Sequence, residues 1–251
     1  MATSIEISEQ RGVRYLHFGS HWIQGAMRVS RPHALELEYT REMMLALLLR
    51  RGSGWPRQVL SIGLGAASLT KFLYRNRPQT KQVIVEIEPD VVNAARQYFK
   101  LPDDPARVAI EIGDGHDFVV GRDRRFDLIL VDGFDAQGRA GMLETAPFYC
   151  NARARLRERG LLVTNLLTRA HGVTAALGRI REAFDGRARA LPTSTSGNAI
   201  VLAAIGEPID LSRAELVESA RELLRDTGLN LLPTIGRLVS ARAGDGDRFV
   251  L

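Results

Sequence analysis

The 251-residue chain is poor in cysteine, lysine and aromatic residues, and these scarcities exclude several classes of protein. Cys150 is the only cysteine, which rules out an intramolecular disulfide and a thiolate metal cluster. Aromatic residues make up 6% of the chain, and no basic run is interleaved with the aromatic side chains on which single-stranded nucleic acids stack. Nucleic acid is therefore not an expected partner.

Positive charge is carried almost entirely by arginine. Lys71, Lys81 and Lys100 are the only lysines among 34 basic residues, and the net charge is +5. The arginines at alternate positions from Arg153 to Arg159 would lie on several faces of a predicted helix and form no single basic surface. A cationic substrate would instead need local acidic residues.

Long hydrophobic runs and metal-binding motifs are also lacking. No apolar run approaches the roughly 18 to 20 residues of a transmembrane helix, and the first ten residues are polar and partly acidic, unlike a secretory signal. None of the five histidines forms a helical metal-binding pair. We therefore expect a cytoplasmic protein with no membrane partner and no bound metal.

The most informative segment is a β-branched run followed by a glycine-rich turn. Val59–Ile62 predicts a buried strand, Gly63 and Gly65 follow it, and a second predicted strand ends at Glu86. Glycines let a ligand approach the backbone, the next helix presents free N–H groups, and the carboxylate can bind both ribose hydroxyls. The pattern predicts that both glycines, Glu86 and the adjacent Ile87 bind a nucleoside.

Two further predicted strands also lead into acidic residues. Asp114 and Gly115 follow the strand at Val108–Ile112, and Asp132 and Asp135 follow the next one. Ligands of open α/β sheets bind at the edge where the carboxyl ends of parallel strands meet. We therefore expect all of these residues to lie at one ligand site.

The order of predicted elements is typical of a Rossmann-like, doubly wound α/β fold with a mainly parallel sheet, because strands and helices alternate from Val59 onward. We divide the chain into an N-terminal β-hairpin and helix at 1–54, a nucleoside-binding domain at 55–206, and a C-terminal helical extension with a mobile tail at 207–251. A capping box predicts that a helix over 212–226 opens the extension.

Hydrophobic patterning adds several local predictions. The N-terminal hairpin is expected at Arg14–Phe18 and His21–Ala26, and one helix is expected at 36–50. Two closing strands, Ala188–Leu191 and Ala199–Ala204, are expected to pair antiparallel.

Taken together, five segments resemble the spermidine synthases, the polyamine aminopropyltransferases. They are Val85–Val91, Gly113–Gly115, Val131–Asp135, Phe148–Tyr149 and Gly160–Thr164. The resemblance implies a sulfonium nucleoside, decarboxylated S-adenosylmethionine or S-adenosylmethionine itself, as co-substrate and a small-molecule amine as partner. We also expect a homodimer.

The same resemblance implies roles for individual residues. Glu86 would hold the ribose, Asp114 would hold the adenine amino group, and Asp132 would activate the attacking amine. Gln24 and Tyr39 fall where the family has a glutamine and a tyrosine that line the site.

Three departures from the family pattern concern the amine and the donor tail. Ala66 replaces an aspartate of the glycine loop that pairs with the donor ammonium, and Asn165–Leu167 and Ser194–Gly197 replace segments that grip the diamine. An ammonium moved into a pocket without a carboxylate loses hydration at a cost of several kcal/mol. We therefore expect poor activity with putrescine and little preference for the decarboxylated donor.

The implied reaction is direct displacement at a carbon bonded to a sulfonium sulfur. The protein aligns the amine and accepts its proton. We assign the catalytic base to Asp132, with Asp135 orienting the amine and Tyr39 lining the amine subsite. Two other classes remain open, a methyltransferase that uses intact S-adenosylmethionine and a non-catalytic nucleoside-binding homologue.

Overall fold

A computed structural model describes residues 4–19, 22–50, 52, 54–168, 173–192, 197–240 and 248–251. Within these residues the strands are β1 (Ile5–Gln10), β2 (Val13–Phe18), β3 (Gly25–Arg28), β4 (Gln58–Ile62), β5 (Lys81–Glu86), β6 (Val108–Ile112), β7 (Phe126–Val131), β8 (Leu156–Leu167), β9 (Ala188–Ala190), β10 (Asn198–Ala204), β11 (Asp210–Ser212) and β12 (Arg248–Val250). The helices are α1 (Glu38–Met43), α2 (Ala46–Leu49), α3 (Ser68–Asn76), α4 (Pro89–Tyr98), α5 (Gly115–Gly121), α6 (Ala146–Ala154), α7 (Val173–Ala183), α8 (Arg213–Thr227) and α9 (Leu232–Ser240), with a 3-10 turn at Gly141–Glu144.

A seven-stranded sheet forms the centre of the molecule, in the order β6-β5-β4-β7-β8-β10-β9. The strands from β6 to β8 pair parallel, and β10 runs antiparallel to both β8 and β9. The carboxyl ends of β4, β5, β6 and β7 therefore meet at one edge. The predicted mainly parallel sheet and the antiparallel closing pair are both confirmed.

Helices cover both faces of this sheet, which confirms the doubly wound fold. One face packs against α1, α2, α3, α8 and α9, and the other packs against α5, α6 and α7. Both faces are buried, which explains why β4 and β5 are nearly continuous apolar runs. Among the described residues, no helix combines the length and hydrophobicity needed to cross a bilayer.

The N-terminal sheet is larger than predicted. The predicted antiparallel hairpin is present as β2 and β3. A third strand, β1, pairs with β2 and was not predicted. The second hairpin strand begins at Gly25, four residues later than predicted, and His21 lies outside the described residues. β1 is an exposed edge strand whose mostly polar sequence gives little strand signal.

Three other local predictions need correction. The single helix predicted at 36–50 is divided into α1 and α2, because Met44 has a ψ of 0° and the N–H groups of Met44 and Leu45 bond to carbonyl oxygens three residues back. Arg157 and Arg159 lie near the start of strand β8 rather than on a helix. Of the tail predicted to be mobile, at 244–248, residues 244–247 lie outside the described residues, and Arg248 begins a strand that pairs with β11.

The C-terminal extension opens as predicted. The Ser212 side chain accepts a hydrogen bond from the Glu215 backbone N–H, and the Glu215 carboxylate accepts one from the Ser212 backbone N–H. This capping box satisfies N–H groups that the first turn of α8 leaves without helical partners. The division of the chain at 54/55 and 206/207 stays a proposal.

Candidate active site

A cavity of about 930 Å3 opens at the carboxyl edge of the central sheet. All of the residues predicted to form the ligand site line it: Gln24, Tyr39, Gly63, Gly65, Glu86, Ile87, Asp114, Gly115, Asp132 and Asp135. They come from the ends of β4, β5, β6 and β7, from the N-terminal sheet and from α1. The sequence therefore predicted which residues meet at this cavity, and their roles remain to be tested.

The glycine turn after β4 lies against the backbone that follows β7. Gly63 has a φ of 91°, and a Cβ there would lie 2.2 Å from the backbone oxygen of Asp132. No other residue fits without moving β7, because the obstacle is backbone rather than a flexible side chain. Gly63 thus keeps Asp132 close to the turn, in addition to leaving the backbone open to a ligand.

Glu86 ends β5 and is 7% exposed. One carboxylate oxygen accepts a 2.8 Å hydrogen bond from the Leu64 N–H, and the other accepts a 3.0 Å bond from the Glu88 N–H. Burial raises the pKa of Glu86, and these backbone N–H groups oppose the rise. The carboxylate is thus fixed in one orientation, and the lone pairs that remain on its two oxygens can accept a pair of neighbouring hydroxyls.

Asp114 caps the first turn of α5. One side-chain oxygen accepts a 2.7 Å hydrogen bond from the His116 N–H, which leaves the second oxygen at the cavity. The next residue, Gly115, packs against β4, since a Cβ there would lie 2.2 Å from a methyl carbon of Ile62. The structure therefore gives Gly115 a packing role beside its predicted ligand contact.

Ligand atoms of Asp114, His116 and Asp117 lie within 4.8 Å of one another. The sequence did not predict this proximity, which the first turn of α5 brings about by placing the three side chains together. We assign no metal to the group, because exposed acidic residues are common at helix starts for capping alone.

Asp132 follows β7 and lines the cavity. Its carboxylate accepts a 2.9 Å hydrogen bond from the Asn165 amide and a second bond from the Tyr39 hydroxyl. Burial raises the pKa of Asp132 above the usual value, while both hydrogen bonds act in the opposite direction. The pKa of Tyr39 is raised well above its usual value by burial and by the Asp132 charge, so Tyr39 stays a neutral donor.

The hydrogen-bond network extends beyond Asp132 to a residue that the sequence analysis missed. The Asn198 amide donates a 2.9 Å hydrogen bond to the Asn165 side-chain oxygen. β10 runs antiparallel to β8, so its first residue, Asn198, lies at the ligand edge. The available signal was that two predicted strands, β8 and β10, carry asparagines near the ends that face each other. This signal can be recognised only when the antiparallel pairing is known.

Asp135 lies in the loop after β7, and its carboxylate is occupied by that loop. One oxygen accepts 2.9 Å hydrogen bonds from the N–H groups of Gln137 and Arg139, and the other lies 2.7 Å from the Arg139 Nε. Burial raises the pKa of Asp135, but the bonds from Arg139 and Gln137 outweigh it and lower the pKa below the usual value. Arg139 was not predicted to be a site residue, because its contact depends on how the loop folds.

Apolar side chains surround the mouth of the cavity. Four of them are about half exposed: Trp22, Ile23, Ile87 and Met142. A loop glycine, Gly138, packs against the side chains of Trp22 and Leu167, since a Cβ there would lie 2.9 Å from the first and 3.1 Å from the second. Exposed apolar residues grouped around a polar cavity are typical of a ligand-binding mouth.

Ala66 does not line the cavity. It is 2% exposed and packs with Leu16, Met27 and Phe99, and a Cβ on Gly25 would lie 2.5 Å from its own Cβ. An aspartate at position 66 would therefore need this packing to open. In the second of the departing diamine segments, Ser194–Gly197, residues 194–196 lie outside the described residues.

Comparisons with known proteins identify the family. A family model described as the spermine/spermidine synthase domain matches residues 38–184. A polyamine aminopropyltransferase from Neisseria meningitidis is 31% identical over 247 residues, which is 98% of this chain and 93% of that protein. One from Chromobacterium violaceum is 35% identical over 234 residues, or 93% of this chain and 88% of that protein.

A solved structure supports the fold. A probable spermidine synthase from Corynebacterium glutamicum has a TM-score of 0.70 and 20% identity, covering 98% of this chain and 86% of that one. Both relatives by sequence span nearly the whole chain, and the family model matches more than half of it. The chain therefore belongs to the spermine/spermidine synthase family, the family of the polyamine aminopropyltransferases.

Proposed function

We propose that this protein is an aminopropyltransferase that uses decarboxylated S-adenosylmethionine as donor and an amine other than putrescine as acceptor. The observation that carries the proposal is the position of the Asp132 carboxylate, held by Tyr39 and Asn165 in the cavity that also contains Glu86. A base and a hydroxyl-binding carboxylate in one cavity match a reaction between a nucleoside and an amine.

The nucleoside part of the donor is assigned to the ends of β5 and β6. Glu86 would accept hydrogen bonds from the two ribose hydroxyls, because its orientation is already fixed by two backbone N–H groups. Asp114 would accept one from the adenine amino group through the oxygen that does not cap α5. The exposed Ile87 would cover an apolar face of the base.

The chemical step needs one proton acceptor and no redox chemistry. The amine nitrogen forms a bond to the propyl carbon, the carbon–sulfur electron pair moves to sulfur, and the positively charged sulfonium becomes a neutral thioether. The new ammonium releases a proton to Asp132. A raised pKa suits this role, because it brings the base closer to the working pH.

The test is the substitution Asp132→Asn. The amide keeps the size of the side chain and an oxygen that can accept from Asn165, but it cannot take a proton. We expect 5′-methylthioadenosine to bind as in the parent protein by calorimetry, and turnover with any accepted amine to fall about 100-fold or more. Normal turnover of the variant would reduce Asp132 to a structural role.

Donor choice is tested by binding of the decarboxylated and intact sulfonium nucleosides, followed by mass spectrometry of the products. Without a carboxylate at position 66, we expect their affinities to differ by no more than about tenfold, because the 1 to 3 kcal/mol effect of a facing charge is missing. An aminopropylated product supports the proposal, and a methylated product would support the methyltransferase alternative instead. A cytoplasmic location and a homodimer remain proposals of the sequence analysis.

A further inference from the structure

The acceptor side of the cavity is the part next to Tyr39, Asp132 and Asp135, where the amine is expected to bind. It contains a positive charge that the proposed reaction does not use. Arg139 lies in the loop after β7, lines the cavity, and pairs with Asp135 through its Nε at 2.7 Å. The pair is four residues apart in one loop, so the guanidinium is held beside the carboxylate by short-range geometry rather than by a remote element.

Both carboxylate oxygens of Asp135 are engaged within its own loop. Its Oδ1 accepts from the backbone N–H groups of Gln137 and Arg139, and its Oδ2 accepts from the Arg139 side chain. A substrate ammonium that approached Asp135 would have to displace the guanidinium and would still meet its charge nearby. This carboxylate therefore does not offer the site that a second ammonium requires.

The other acidic residue on this side is also paired. Glu38 lines the cavity and forms a 3.2 Å ion pair with Arg237 from α9. Asp132 is engaged by Tyr39 and Asn165 and is assigned to the reacting nitrogen. Among the described residues that line this side, no carboxylate is left without a partner of its own.

The surfaces next to the loop are apolar. A Cβ at Gly133 would lie 2.8 Å from the Leu143 side chain, and a Cβ at Gly138 would lie 3.1 Å from Leu167. Leu143 and Leu167 both line the cavity. An alkyl chain fits between such walls without losing hydrogen bonds, whereas a terminal ammonium would lose hydration there.

We propose that Arg139 is a specificity-determining residue that takes the place of a substrate's second ammonium, so that the acceptor is a primary amine with one positive charge and an apolar far end. This inference rests on the proposed aminopropyltransferase function and names the acceptor class of that site. The bond changes are those of the step above, with n-butylamine giving N-butyl-1,3-diaminopropane and 5′-methylthioadenosine.

Two acceptors that differ only in the far end test the inference. n-Butylamine and putrescine have the same four-carbon chain, and putrescine adds the second ammonium. With decarboxylated S-adenosylmethionine as donor, we expect kcat/KM to be at least about tenfold higher for n-butylamine, the effect of one charge without an acceptor. Faster reaction with putrescine would overturn the inference.

Arg139→Gln removes the charge and frees Asp135. We expect the n-butylamine to putrescine ratio of kcat/KM to fall by about tenfold or more, mostly through a lower KM for putrescine, while the KM for the donor stays the same. Arg248→Gln is the matched control, since Arg248 is half exposed and pairs through its Nε with Asp210 at 2.6 Å, away from the cavity. An unchanged ratio in Arg139→Gln, or an equal change in both variants, would contradict the role of Arg139.

Failure of the underlying function has a different signature. If no amine releases 5′-methylthioadenosine from the donor, the aminopropyltransferase proposal fails and the inference fails with it. If putrescine and n-butylamine both react and only their order is reversed, the function stands and the acceptor class is wrong.

Discussion

At the scale of single residues, Glu86 and Asp132 show how similar side chains acquire different properties. Both are acidic residues at the carboxyl edge of the sheet, and burial raises the pKa of each. Backbone N–H groups hold Glu86, whereas side chains hold Asp132. Backbone donors cannot rotate away, so Glu86 keeps one orientation and is suited to binding. The side-chain donors of Asp132 can readjust when the carboxylate takes up a proton, so Asp132 is suited to proton transfer.

Replacing Glu86 by alanine should weaken nucleoside binding. The change removes hydrogen bonds between a carboxylate and two ribose hydroxyls, so we expect 5′-methylthioadenosine to lose about 1.5 to 3 kcal/mol of binding free energy. Isothermal calorimetry measures the loss, and circular dichroism checks that the turn at Leu64 survives. Glu111→Ala is the control, because Glu111 lies on β6 and pairs with Arg122 at the surface. Equal affinity in both variants would remove Glu86 from the ribose site.

The sequence predicted those site residues whose signal is local. Asp132 directly follows β7 and Asp114 follows β6 after one glycine, so their position at the ligand edge follows from chain order alone. Arg139 and Asn198 could not be found in this way. Their positions depend on a loop conformation and on an antiparallel pairing, and neither leaves a periodic pattern in the sequence.

At the scale of elements, the network from Tyr39 through Asp132 and Asn165 to Asn198 joins α1 to the ends of β7, β8 and β10. Each contact comes from a different element, so the base is positioned by the packing of the sheet and not by its own loop. The amides have one workable orientation while Asp132 is ionised, since Asn165 must direct its NH2 group to the carboxylate.

Removing the Asn165 amide should shift the pH profile of the reaction. The amide hydrogen bond favours the ionised form of Asp132 and lowers the pKa of that carboxyl, so Asn165→Ala should raise it further. We expect the acid limb of the kcat/KM profile to move to higher pH, with Asn76→Ala, at the end of α3 and not lining the cavity, as control. An acid limb that stays in place would show that Asn165 does not act on the catalytic base.

The capping box of α8 gives a stability test at the same scale. Ser212→Ala removes the side chain that accepts from the Glu215 N–H, and we expect a loss of about 1 kcal/mol, or about 2 to 4 °C in Tm for a chain of this size. Ser219→Ala, within the same helix, should leave Tm unchanged or raise it slightly, because alanine is the better helix former. Equal Tm changes in the two variants would argue against the cap.

Not every element could be predicted. The run Met43–Leu49 is almost entirely apolar and buried, so its hydrophobic period could not reveal the break between α1 and α2. β1 shows the opposite case, because its mostly polar sequence gives little strand signal. It forms a strand because it pairs with β2. In both segments tertiary contacts outweigh local pattern.

At the scale of the whole molecule, the mainly parallel sheet was predictable because five apolar strands alternate with helices, which favours right-handed crossovers. A buried lysine joins α3 to the end of α4. Lys71 of α3 is 1% exposed and donates a 2.8 Å hydrogen bond to the carbonyl oxygen of Phe99, after α4. Burial lowers the pKa of Lys71 to about 7.

Stability should therefore depend on the protonation of Lys71. Its pKa is lower in the folded state, so the unfolded chain binds more protons between pH 7 and the ordinary lysine value of about 10.4. The free energy of unfolding contributed by Lys71 thus rises with pH through this window. We expect Lys71→Met to lose that rise when urea unfolding is compared at pH 6.5 and pH 9. The exposed control Lys81→Met should keep it, and identical pH slopes in all three proteins would contradict a buried, titrating Lys71.

The same lysine is a built-in probe for covalent labelling. At mildly alkaline pH a larger fraction of Lys71 than of an ordinary lysine is the neutral, nucleophilic amine. Packing nevertheless shields Lys71 from reagents, whereas the other two lysines are exposed. Acylation of Lys71 therefore requires α3 and the end of α4 to separate first. The ratio of its acylation rate to that of Lys81, read by peptide mass spectrometry, reports how often this part of the native protein opens.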